Sequence, residues 1–345
     1  LKMTKNSSHK FPFKWRTTDY PESTGLKVFT TFACGGGSTM GYKLAGYDVI
    51  AANDIDPEMK AAYLRNHKPK HFFLNNVSEL LDMDLPKELY DIDVLDGSPP
   101  CSVFSMAGDR EKAWGKEKHF REGQAKQILD DLFFQFLKLA EKIQPKVIVA
   151  ENVKGMLIGN AKWYTREIFR TLDKMGYNCQ VFLLNGSYVG VPQARERIFF
   201  VATRRDLDHN LVHLDVKEPP IALGKVLAEA QNELGKELTD NYKKWWNYTI
   251  PGQSFGKAHP KGSYFNSTRG SYAKVHQTIT ATQGSKYCHP AKPYLLSDEV
   301  LSMIGTFPLD YDFGKTPAQY LIGMSVPPVM MAQVASAIRE QVFKR

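Results

Sequence analysis

A regular alternation of strand-sized apolar runs with helical patterns constrains the fold of this chain more than any other feature. Strands are predicted at Lys27–Phe32, Asp48–Ala52, His71–Leu74, Ile92–Leu95, Lys146–Ala150, Val181–Leu184 and Ile198–Ala202. Apolar spacing and helix-boundary residues predict helices at Ser38–Leu44, Pro57–Asn66, Gln124–Ile143 and Trp163–Met175. This order predicts a doubly wound α/β fold with a mostly parallel sheet, in which ligands bind at the carboxyl ends of the strands.

The alternation stops near Arg205, which suggests four regions. Residues 1–24 are interpreted as an N-terminal extension, and residues 25–204 contain the predicted sheet. Residues 205–271 lack the pattern and are expected to form a second, smaller domain. Residues 272–345 are expected to return to the sheet domain, because helical patterning reappears in Ser297–Met303 and Pro328–Arg345. Gly108–Gly123 is charged and punctuated by glycine, and is predicted to be a mobile loop.

The composition excludes several classes of protein. With 43% hydrophobic and 24% charged residues, the chain has globular rather than disordered or collagen-like composition. No apolar run approaches the roughly 18 residues that a membrane helix needs, and the polar N-terminus is not expected to be a signal peptide. The four cysteines lie far apart without CxxC spacing. This argues against a disulfide scaffold or a zinc site and favours a reducing compartment, where a free cysteine can be a nucleophile.

Most of the net positive charge lies in one segment. The whole chain carries +8, and Asn241–Pro290 contains seven lysines or arginines with no aspartate or glutamate. This basic aromatic segment also contains nine Phe, Trp or Tyr residues. Basic groups neutralise phosphates and aromatic rings stack on bases, so the segment predicts nucleic-acid binding. The alternative is a solvated basic face over a small aromatic core.

A glycine-rich turn follows the first predicted strand. Cys34-Gly35-Gly36-Gly37 lets the backbone approach a cofactor, and Asp54 ends the next strand, where a carboxylate can accept both hydroxyls of a ribose. The dinucleotide fingerprint GxGxxG is not met, and no P-loop lysine follows. A nucleoside cofactor without phosphates therefore fits better than NAD or ATP. The alternative is a plain tight turn.

Three further polar clusters follow or precede predicted strands. Cys101 follows two prolines at a strand end, where it can be a nucleophile rather than an inert buried side chain. Glu151 follows an apolar strand, where a carboxyl with a raised pKa can give a proton to a heterocycle; a helix cap or a salt bridge is the alternative. Arg195 and Arg197 share one face of the segment that leads into the strand Ile198–Ala202, where they suit an anionic or carbonyl partner or are solvated charges.

Together these clusters resemble the motifs of DNA (cytosine-5) methyltransferases. The matching segments, in the family order, are Phe32–Gly37, Gly97–Cys101, Glu151–Val153, Gln193–Arg197 and Gly323–Pro328. The resemblance extends from Lys27 to about Ile338, nearly the whole chain. It implies a Rossmann-like methyltransferase fold with a catalytic domain at 25–204, a target-recognition domain at 205–271 and a return to the catalytic domain at 272–345.

The resemblance also implies the cofactor S-adenosyl-L-methionine (SAM). Cys34, Asn76 and Met324 depart from the family pattern, which usually has Gly, Asp and Asn at these positions, and Ser102 replaces a Gln. The expected cofactor-binding residues are Phe32, Ala33, Gly35, Gly36, Gly37, Asp54, Ile55, Asn76, Val77, Pro100, Met324, Ser325 and Val326.

The implied reaction adds a methyl group to carbon 5 of a cytosine flipped out of a specific duplex DNA sequence. Cys101 would add to carbon 6, Glu151 would protonate N3, and Arg195 or Arg197 would hold O2. The loop from Ser102 to about Gly123 would close over the base. The expected enzyme is a cytoplasmic monomer that binds double-stranded DNA, with no metal and no membrane. It would protect a host in a restriction-modification system, serve a phage or act alone.

Three other functions are alternatives to this one. The tRNA-acting branch of the same family has little insert where this chain has the basic aromatic segment. A non-catalytic DNA-binding relative is disfavoured because Cys101, Glu151, Arg195 and Arg197 are all present. An NAD-linked oxidoreductase is disfavoured by the missing GxGxxG.

Overall fold

The computed structural model describes residues 8–100, 132–158, 161–282 and 284–345, with the backbone of two short strands at 117–118 and 127–128. The chain divides into two compact units. The sheet unit comprises Pro21–Leu184, Glu196–Asp215 and Met331–Arg345. The smaller unit comprises Leu1–Tyr20, Asn185–Arg195 and Val216–Met330.

The regular elements alternate in the first part of the chain and become short in the second. The described strands are β1 (Lys27–Thr31), β2 (Asp48–Asp54), β3 (His71–Leu74), β4 (Val94–Gly97), β5 (Glu117–Lys118), β6 (Gln127–Ile128), β7 (Val147–Val153), β8 (Tyr177–Asn185), β9 (Gln193–Ala194), β10 (Glu196–Arg204), β11 (Leu234–Glu237), β12 (Thr268–Arg269), β13 (His276–Gln277), β14 (Tyr287–Cys288) and β15 (Tyr294–Leu296). The described α-helices are α1 (Gly37–Leu44), α2 (Pro57–Asn66), α3 (Leu132–Ile143), α4 (Lys162–Lys174), α5 (Leu223–Glu229), α6 (Asp240–Tyr248), α7 (Asp298–Gly305), α8 (Ala318–Met324) and α9 (Pro328–Gln341).

The sheet unit is built on seven strands in the order β3-β2-β1-β4-β7-β10-β8. β1 pairs in parallel with β2 and β4, β2 with β3, and β4 with β7, whereas β10 is antiparallel to β7. The strand order reverses between β1 and β4, and in doubly wound sheets ligands bind outside the carboxyl ends of the strands at such a point. The predicted fold class is confirmed.

Apolar packing fixes the strand ends of the sheet unit. The central strands are buried on both faces, which accounts for their nearly continuous apolar sequences. Phe136 and Leu139 of α3 and Ile168 of α4 belong to one hydrophobic cluster with Leu95 of β4 and Ile148 of β7. Burial of each such side chain contributes about 1.5–3 kcal/mol, so β4 and β7 are firmly held.

Most of the predicted strands and helices are confirmed, with ends shifted by a few residues. The helix predicted at Gln124–Ile143 is wrong in its first part, because Gln127–Ile128 forms β6, paired with β5. A short apolar run at this position fits a strand as well as a helix. Most of the loop predicted at Gly108–Gly123 lies outside the described residues.

The smaller unit contains a four-stranded sheet, β11-β15-β14-β12, and the pair β13-β9. Its boundaries differ from the predicted domain boundaries. The parallel pairing of β14 with β12 joins residues on both sides of the predicted boundary at 271, and only Met331–Arg345 falls in the sheet unit. The predicted N-terminal extension also packs here: the buried Trp15 indole N–H donates to the Thr306 carbonyl at 2.9 Å.

One segment of the described chain, Ala318–Gln341, is long and apolar enough to cross a membrane. Its mean hydropathy is 1.5, and 94% of its most apolar window is buried inside the protein. By length and hydropathy, this segment contradicts the expectation that no apolar stretch reaches membrane length. The buried core helix of a globular protein has the same length and hydropathy.

Candidate active site

The turn between β1 and α1 has a conformation that favours glycine. Gly36 has a φ of 85°, and a Cβ there would overlap the buried ring of His67. Phe32 and Cys34 also have positive φ values, 54° and 49°. Such backbone costs a non-glycine residue about 1–3 kcal/mol and is concentrated at ligand sites. The predicted glycine turn is thus a strained, closely packed structure.

His67 is a residue of this turn that sequence reasoning missed. Burial, together with the nearby charge of Lys43, lowers its pKa to about 3, so the ring is neutral at physiological pH. The ring packs against Tyr63 at 4.7 Å between centroids. Nothing in the sequence marks a histidine at the end of α2 as the neighbour of Gly36.

Asp54, at the end of β2, holds the glycine turn from the adjacent strand. Its carboxylate oxygens accept the N–H groups of Cys34 at 2.8 Å and Asp56 at 2.9 Å. Burial raises the pKa of Asp54 to about 6, and the backbone hydrogen bonds oppose this rise. Ile55, beside it, is half-buried. The carboxylate predicted to bind a ribose therefore also organises the turn.

Asn76 and Val77 follow β3, the next strand of the sheet. Asn76 Oδ1 accepts the Ser78 N–H at 3.1 Å, and Val77 is buried in the hydrophobic core. With its oxygen engaged in this way, the Asn76 side chain presents an amide nitrogen that can only donate. An Asp at this position would present a second acceptor oxygen instead.

The segment from β4 towards Cys101 is tied to β7. Asn152 Nδ2 donates to the Pro99 carbonyl at 3.0 Å, in buried surroundings, and Asn152 Oδ1 accepts the Val153 N–H at 2.8 Å. Pro100 is half-buried. Cys101 itself lies outside the described residues, as does most of the loop predicted to follow it. The backbone two residues before the predicted nucleophile is therefore anchored.

Glu151 and Arg197 form an ion pair on neighbouring strands. Arg197 Nε lies 2.9 Å from Glu151 Oε1, and both side chains are largely buried. Strands β7 and β10 bring them together, since Arg197 lies opposite Val153 and Phe199 lies opposite Glu151. Arg197 Nη1 also donates to the Glu196 carbonyl at 2.7 Å. A guanidinium has five N–H groups, so this arrangement leaves donors for a ligand oxygen.

Arg195 makes different contacts from those of Arg197. Its guanidinium is buried in the smaller unit, where Nη1 donates to the Ile279 carbonyl and Nη2 to the Gly323 carbonyl, both at 3.1 Å. A Cβ at Gly323 would overlap the backbone of residues 280–281, so this approach requires glycine. Arg195 thus joins two segments of its own unit, and Arg197 is the arginine that pairs with Glu151.

The remaining predicted cofactor residues lie at the end of α8, also in the smaller unit. Met324 is 45% exposed, whereas Ser325 and Val326 are buried. The structure therefore divides the predicted site residues between the two units. Those in the sheet unit are Phe32, Ala33, Gly35, Gly36, Gly37, Asp54, Ile55, Asn76, Val77, Pro100, Glu151 and Arg197; those in the smaller unit are Arg195, Met324, Ser325 and Val326.

The polar groups of the sheet unit fit a nucleoside cofactor. The glycine turn, Asp54 and Asn76 follow β1, β2 and β3, which are adjacent in the sheet. Together they offer closely approaching backbone, a carboxylate for ribose hydroxyls and an amide for a base edge. Across the described ranges, no group of three or more His, Cys, Asp or Glu side chains is arranged to hold a metal ion.

The basic aromatic segment contains both a small core and exposed rings. Trp246 and Phe255 are buried with Leu238 and Cys288. In contrast, Tyr248 is 68% exposed and Phe265 is 75% exposed. The two interpretations of this segment, an aromatic core and an aromatic surface, therefore each apply to part of it.

The cations of this segment are divided in the same way. Arg269 stacks on Trp246 at 3.8 Å and donates to the carbonyls of Pro290, Trp246 and Thr249. Lys243 Nζ lies 2.7 Å from Glu237 Oε1. Lys244 Nζ lies 5.1 Å from the centre of the Trp245 ring. Two of the predicted phosphate-binding cations are thus engaged within the protein.

Several bacterial methyltransferases are similar to this chain in sequence. Type II methyltransferase M.FnuDI of Fusobacterium nucleatum is 34% identical over 183 residues, which are 53% of this chain and 48% of that protein. M.BspRI of Lysinibacillus sphaericus is 26% identical over 379 residues, covering 92% and 82%. The chain spans about half the length of the first curated relatives that it matches.

Solved structures of low sequence identity share the fold. A protein described as a DNA modification methyltransferase encoded within an Escherichia coli prophage has a TM-score of 0.70 at 18% identity, covering 93% of this chain and 100% of that chain. Spodoptera frugiperda DNMT2 has a TM-score of 0.63 at 17% identity, covering 91% and 99%. The family model described as C-5 cytosine-specific DNA methylase matches residues 26–340. Because this match covers nearly the whole sequence, the chain belongs to the C-5 cytosine-specific DNA methylase family.

Proposed function

We propose that this protein transfers a methyl group from SAM to carbon 5 of a cytosine flipped out of a specific duplex DNA sequence. Family membership supports the reaction class. The observation that carries the proposal is the buried pair of Glu151 on β7 and Arg197 on β10, at 2.9 Å. Asn152, beside Glu151 on β7, holds the Pro99 carbonyl before Cys101. The proposed acid Glu151, the proposed O2-binding cation Arg197 and the segment before Cys101 therefore lie at one end of the sheet.

The proposed chemistry begins at carbon 6 of the cytosine. The Cys101 thiolate forms a bond to carbon 6, Glu151 gives a proton to N3, and Arg197 donates hydrogen bonds to O2. This addition makes carbon 5 nucleophilic, and carbon 5 forms the bond to the transferred methyl group. A base then removes the carbon 5 proton, the thiolate leaves, and N3 returns its proton to Glu151. The products are 5-methylcytosine, S-adenosylhomocysteine and one proton.

SAM supplies the methyl group as a sulfonium. The turn Gly35–Gly37 brings backbone close to the cofactor, Asp54 accepts the ribose hydroxyls, and Asn76 meets the adenine edge. The other residues proposed to contact SAM are Phe32, Ala33, Ile55, Val77 and Pro100 of the sheet unit and Met324, Ser325 and Val326 of the smaller unit. Arg195 acts as a positioning residue, because two of its bonds go to carbonyls of its own unit.

The proposed substrate is duplex DNA. Lysines of the basic aromatic segment neutralise phosphates, and the smaller unit chooses the target sequence. Flipping the cytosine costs a few kcal/mol, which contacts to the displaced base and the DNA backbone offset. The named relatives are Type II methyltransferases, which supports a role in a restriction-modification system. The proposed enzyme acts as a cytoplasmic monomer without a metal.

Transfer of radiolabelled methyl from SAM tests the proposal. Purified protein is incubated with duplex DNA or with tRNA, and the labelled nucleoside is identified after digestion. Label in 5-methylcytosine from DNA is the expected result. Label in tRNA would indicate a member of the tRNA-acting branch, and label in neither substrate would indicate a non-catalytic relative.

A further inference from the structure

Asp96 is a buried carboxylate to which the reaction above assigns no role. It lies on β4 in the middle of the sheet, opposite Thr30 of β1 and Val149 of β7, and is 1% exposed. Central strands of parallel sheets are normally apolar at such positions. A buried carboxylate is costly unless its hydrogen bonds are made, so its partners indicate what it holds together.

Three hydroxyl groups donate to this carboxylate, and they come from two elements. Thr30 Oγ1 on β1 donates to Oδ2 at 2.8 Å, and the Tyr42 hydroxyl on α1 donates to Oδ1 at 3.3 Å. The Ser38 hydroxyl donates as well. Ser38 is the second residue of α1, directly after the glycine turn. Asp96 therefore joins β4 to the start of α1.

The end of β4 has little freedom to move independently of these contacts. The residue after Asp96 is Gly97, where a Cβ would lie 2.6 Å from the Phe136 ring and 2.7 Å from Thr31 Oγ1. Two residues later, Asn152 holds the Pro99 carbonyl at 3.0 Å. A shift of Asp96 would consequently be transmitted towards Cys101.

We propose that Asp96 is a positioning residue that holds the glycine turn and the segment before Cys101 in their mutual arrangement. This inference rests on the proposed function, in which the first segment binds SAM and the second carries the nucleophile. Because Asp96 bonds to Thr30, Ser38 and Tyr42, losing its charge should disturb cofactor binding even though it need not touch the cofactor.

The ionisation of Asp96 makes the proposal testable by pH. Burial raises its pKa to about 7; the three hydroxyl bonds oppose this rise, and the charge of Glu151 on β7 adds to it. The other titratable groups facing it, Tyr42 on α1 and Tyr63 on α2, have pKa values raised by burial and stay neutral. The ionised carboxylate accepts these hydroxyl groups in stronger hydrogen bonds than the protonated carboxyl does. SAM affinity should therefore rise with pH through about 7.

Calorimetry with SAM between pH 5 and 9 measures this step. The wild-type protein should show two ionisations, one from Asp96 and a lower one from Asp54, whose pKa is raised to about 6. Asp96→Asn keeps the size of the side chain and can still bond to hydroxyls. It should remove only the upper step, which is the rise in SAM affinity near pH 7. It should also weaken SAM binding at pH 8.5 by about tenfold, as expected for a lost charge-assisted hydrogen bond.

A second buried acid next to β4 provides a matched control. Asp93, just before β4, accepts the Lys27 N–H and the Lys146 ammonium, both at 2.7 Å. Asp93→Asn should leave both pH steps and the SAM affinity unchanged. An Asp96→Asn protein that keeps the upper step and the wild-type affinity would show that Asp96 is structural only.

Thr30→Val is a second variant that keeps Asp96 and removes one donor. Losing a bond to the ionised form should move the upper step to higher pH, and an unmoved step overturns the inference even if Asp96→Asn fails to fold. A wild-type protein that methylates DNA, with the step unchanged in both variants, refutes this inference alone. A wild-type protein that binds no SAM refutes the proposed function and this inference with it.

Discussion

The strand ends of the sheet unit and the basic aromatic segment of the smaller unit both concentrate charged groups, but they hold them differently. At the strand ends, Asp54 and Glu151 are bonded to specific partners at 2.8–2.9 Å. In the segment, Arg269 and Lys243 are engaged within the protein, whereas Lys244 lies over an aromatic ring. Chemistry requires preorganised groups, while phosphate neutralisation requires only charge near a surface. Substitutions should therefore change rate at the strand ends and change salt-dependent affinity in the segment.

The largest effect is expected at Cys101. Cys101→Ser should abolish turnover and also the covalent complex with duplex DNA that contains 5-fluorocytosine, because fluorine blocks the final elimination. Denaturing gel electrophoresis detects the complex as a shifted band. A shifted band in the Cys101→Ser protein would mean that another residue is the nucleophile.

Cys179 provides the matched control for this experiment. Burial raises the pKa of its thiol to about 12, so at neutral pH it is protonated and a poor nucleophile. Cys179→Ala should keep both turnover and the shifted band.

Glu151 should have the next largest effect. Glu151→Gln removes the transferable proton while keeping the size of the side chain, and should lower kcat by roughly 10²–10⁴ with little change in SAM affinity, as expected of a general acid. Single-turnover methylation measures the rate. Glu196→Gln, which loses only the ion pair with Lys154, is the matched control and should stay within a few-fold of wild type. Equal losses in the two variants would indicate a structural effect on β7 and β10.

The fold and most of the strand-end site could be predicted because their signals are local. An apolar run that ends in Asn53-Asp54 or in Glu151 places polar groups at a strand end, and parallel strands bring such ends to one edge. The pairing of Glu151 with Arg197 rather than Arg195 could not be predicted in this way. The two arginines are two residues apart, and only the antiparallel register of β7 and β10 decides which one meets the carboxylate.

The basic aromatic segment shows where sequence composition is insufficient. Trp246 and Tyr248 are two residues apart on α6, so they point to different sides of the helix, and the first is buried whereas the second is exposed. Composition alone does not distinguish them, because the difference depends on the helix. Asp96 was missed for another reason: its meaning depends on Thr30 and Tyr42, which are distant in sequence, and no spacing rule encodes such contacts.

A moderate effect is expected at Met324, which departs from the family's Asn. A thioether offers almost no hydrogen bonding, so Met324→Asn should restore a neutral hydrogen bond of about 0.5–1.5 kcal/mol and tighten SAM binding roughly three- to tenfold. Met324→Leu keeps an apolar side chain and should leave the affinity unchanged. Calorimetry distinguishes the two variants, and equal or weaker binding by Met324→Asn would identify Met324 as a packing residue.

The smallest effect is expected from the lysines of α6, and it tests the comparison between the two regions most directly. Lys243 is already paired with Glu237 at 2.7 Å, whereas Lys244 lies over Trp245. If Lys244 contacts one phosphate, Lys244→Ala should reduce the slope of log affinity against log salt by about 0.9, for all DNA sequences alike. Between 50 and 200 mM salt this slope change alters affinity by about 3.5-fold. Lys243→Ala should leave the slope nearly unchanged, since its charge is balanced within the protein.

Fluorescence anisotropy across a salt series measures both slopes. Equal slope changes in the two variants would mean that DNA displaces Glu237 from Lys243. Paired and unpaired lysines of this segment would then contact phosphates alike.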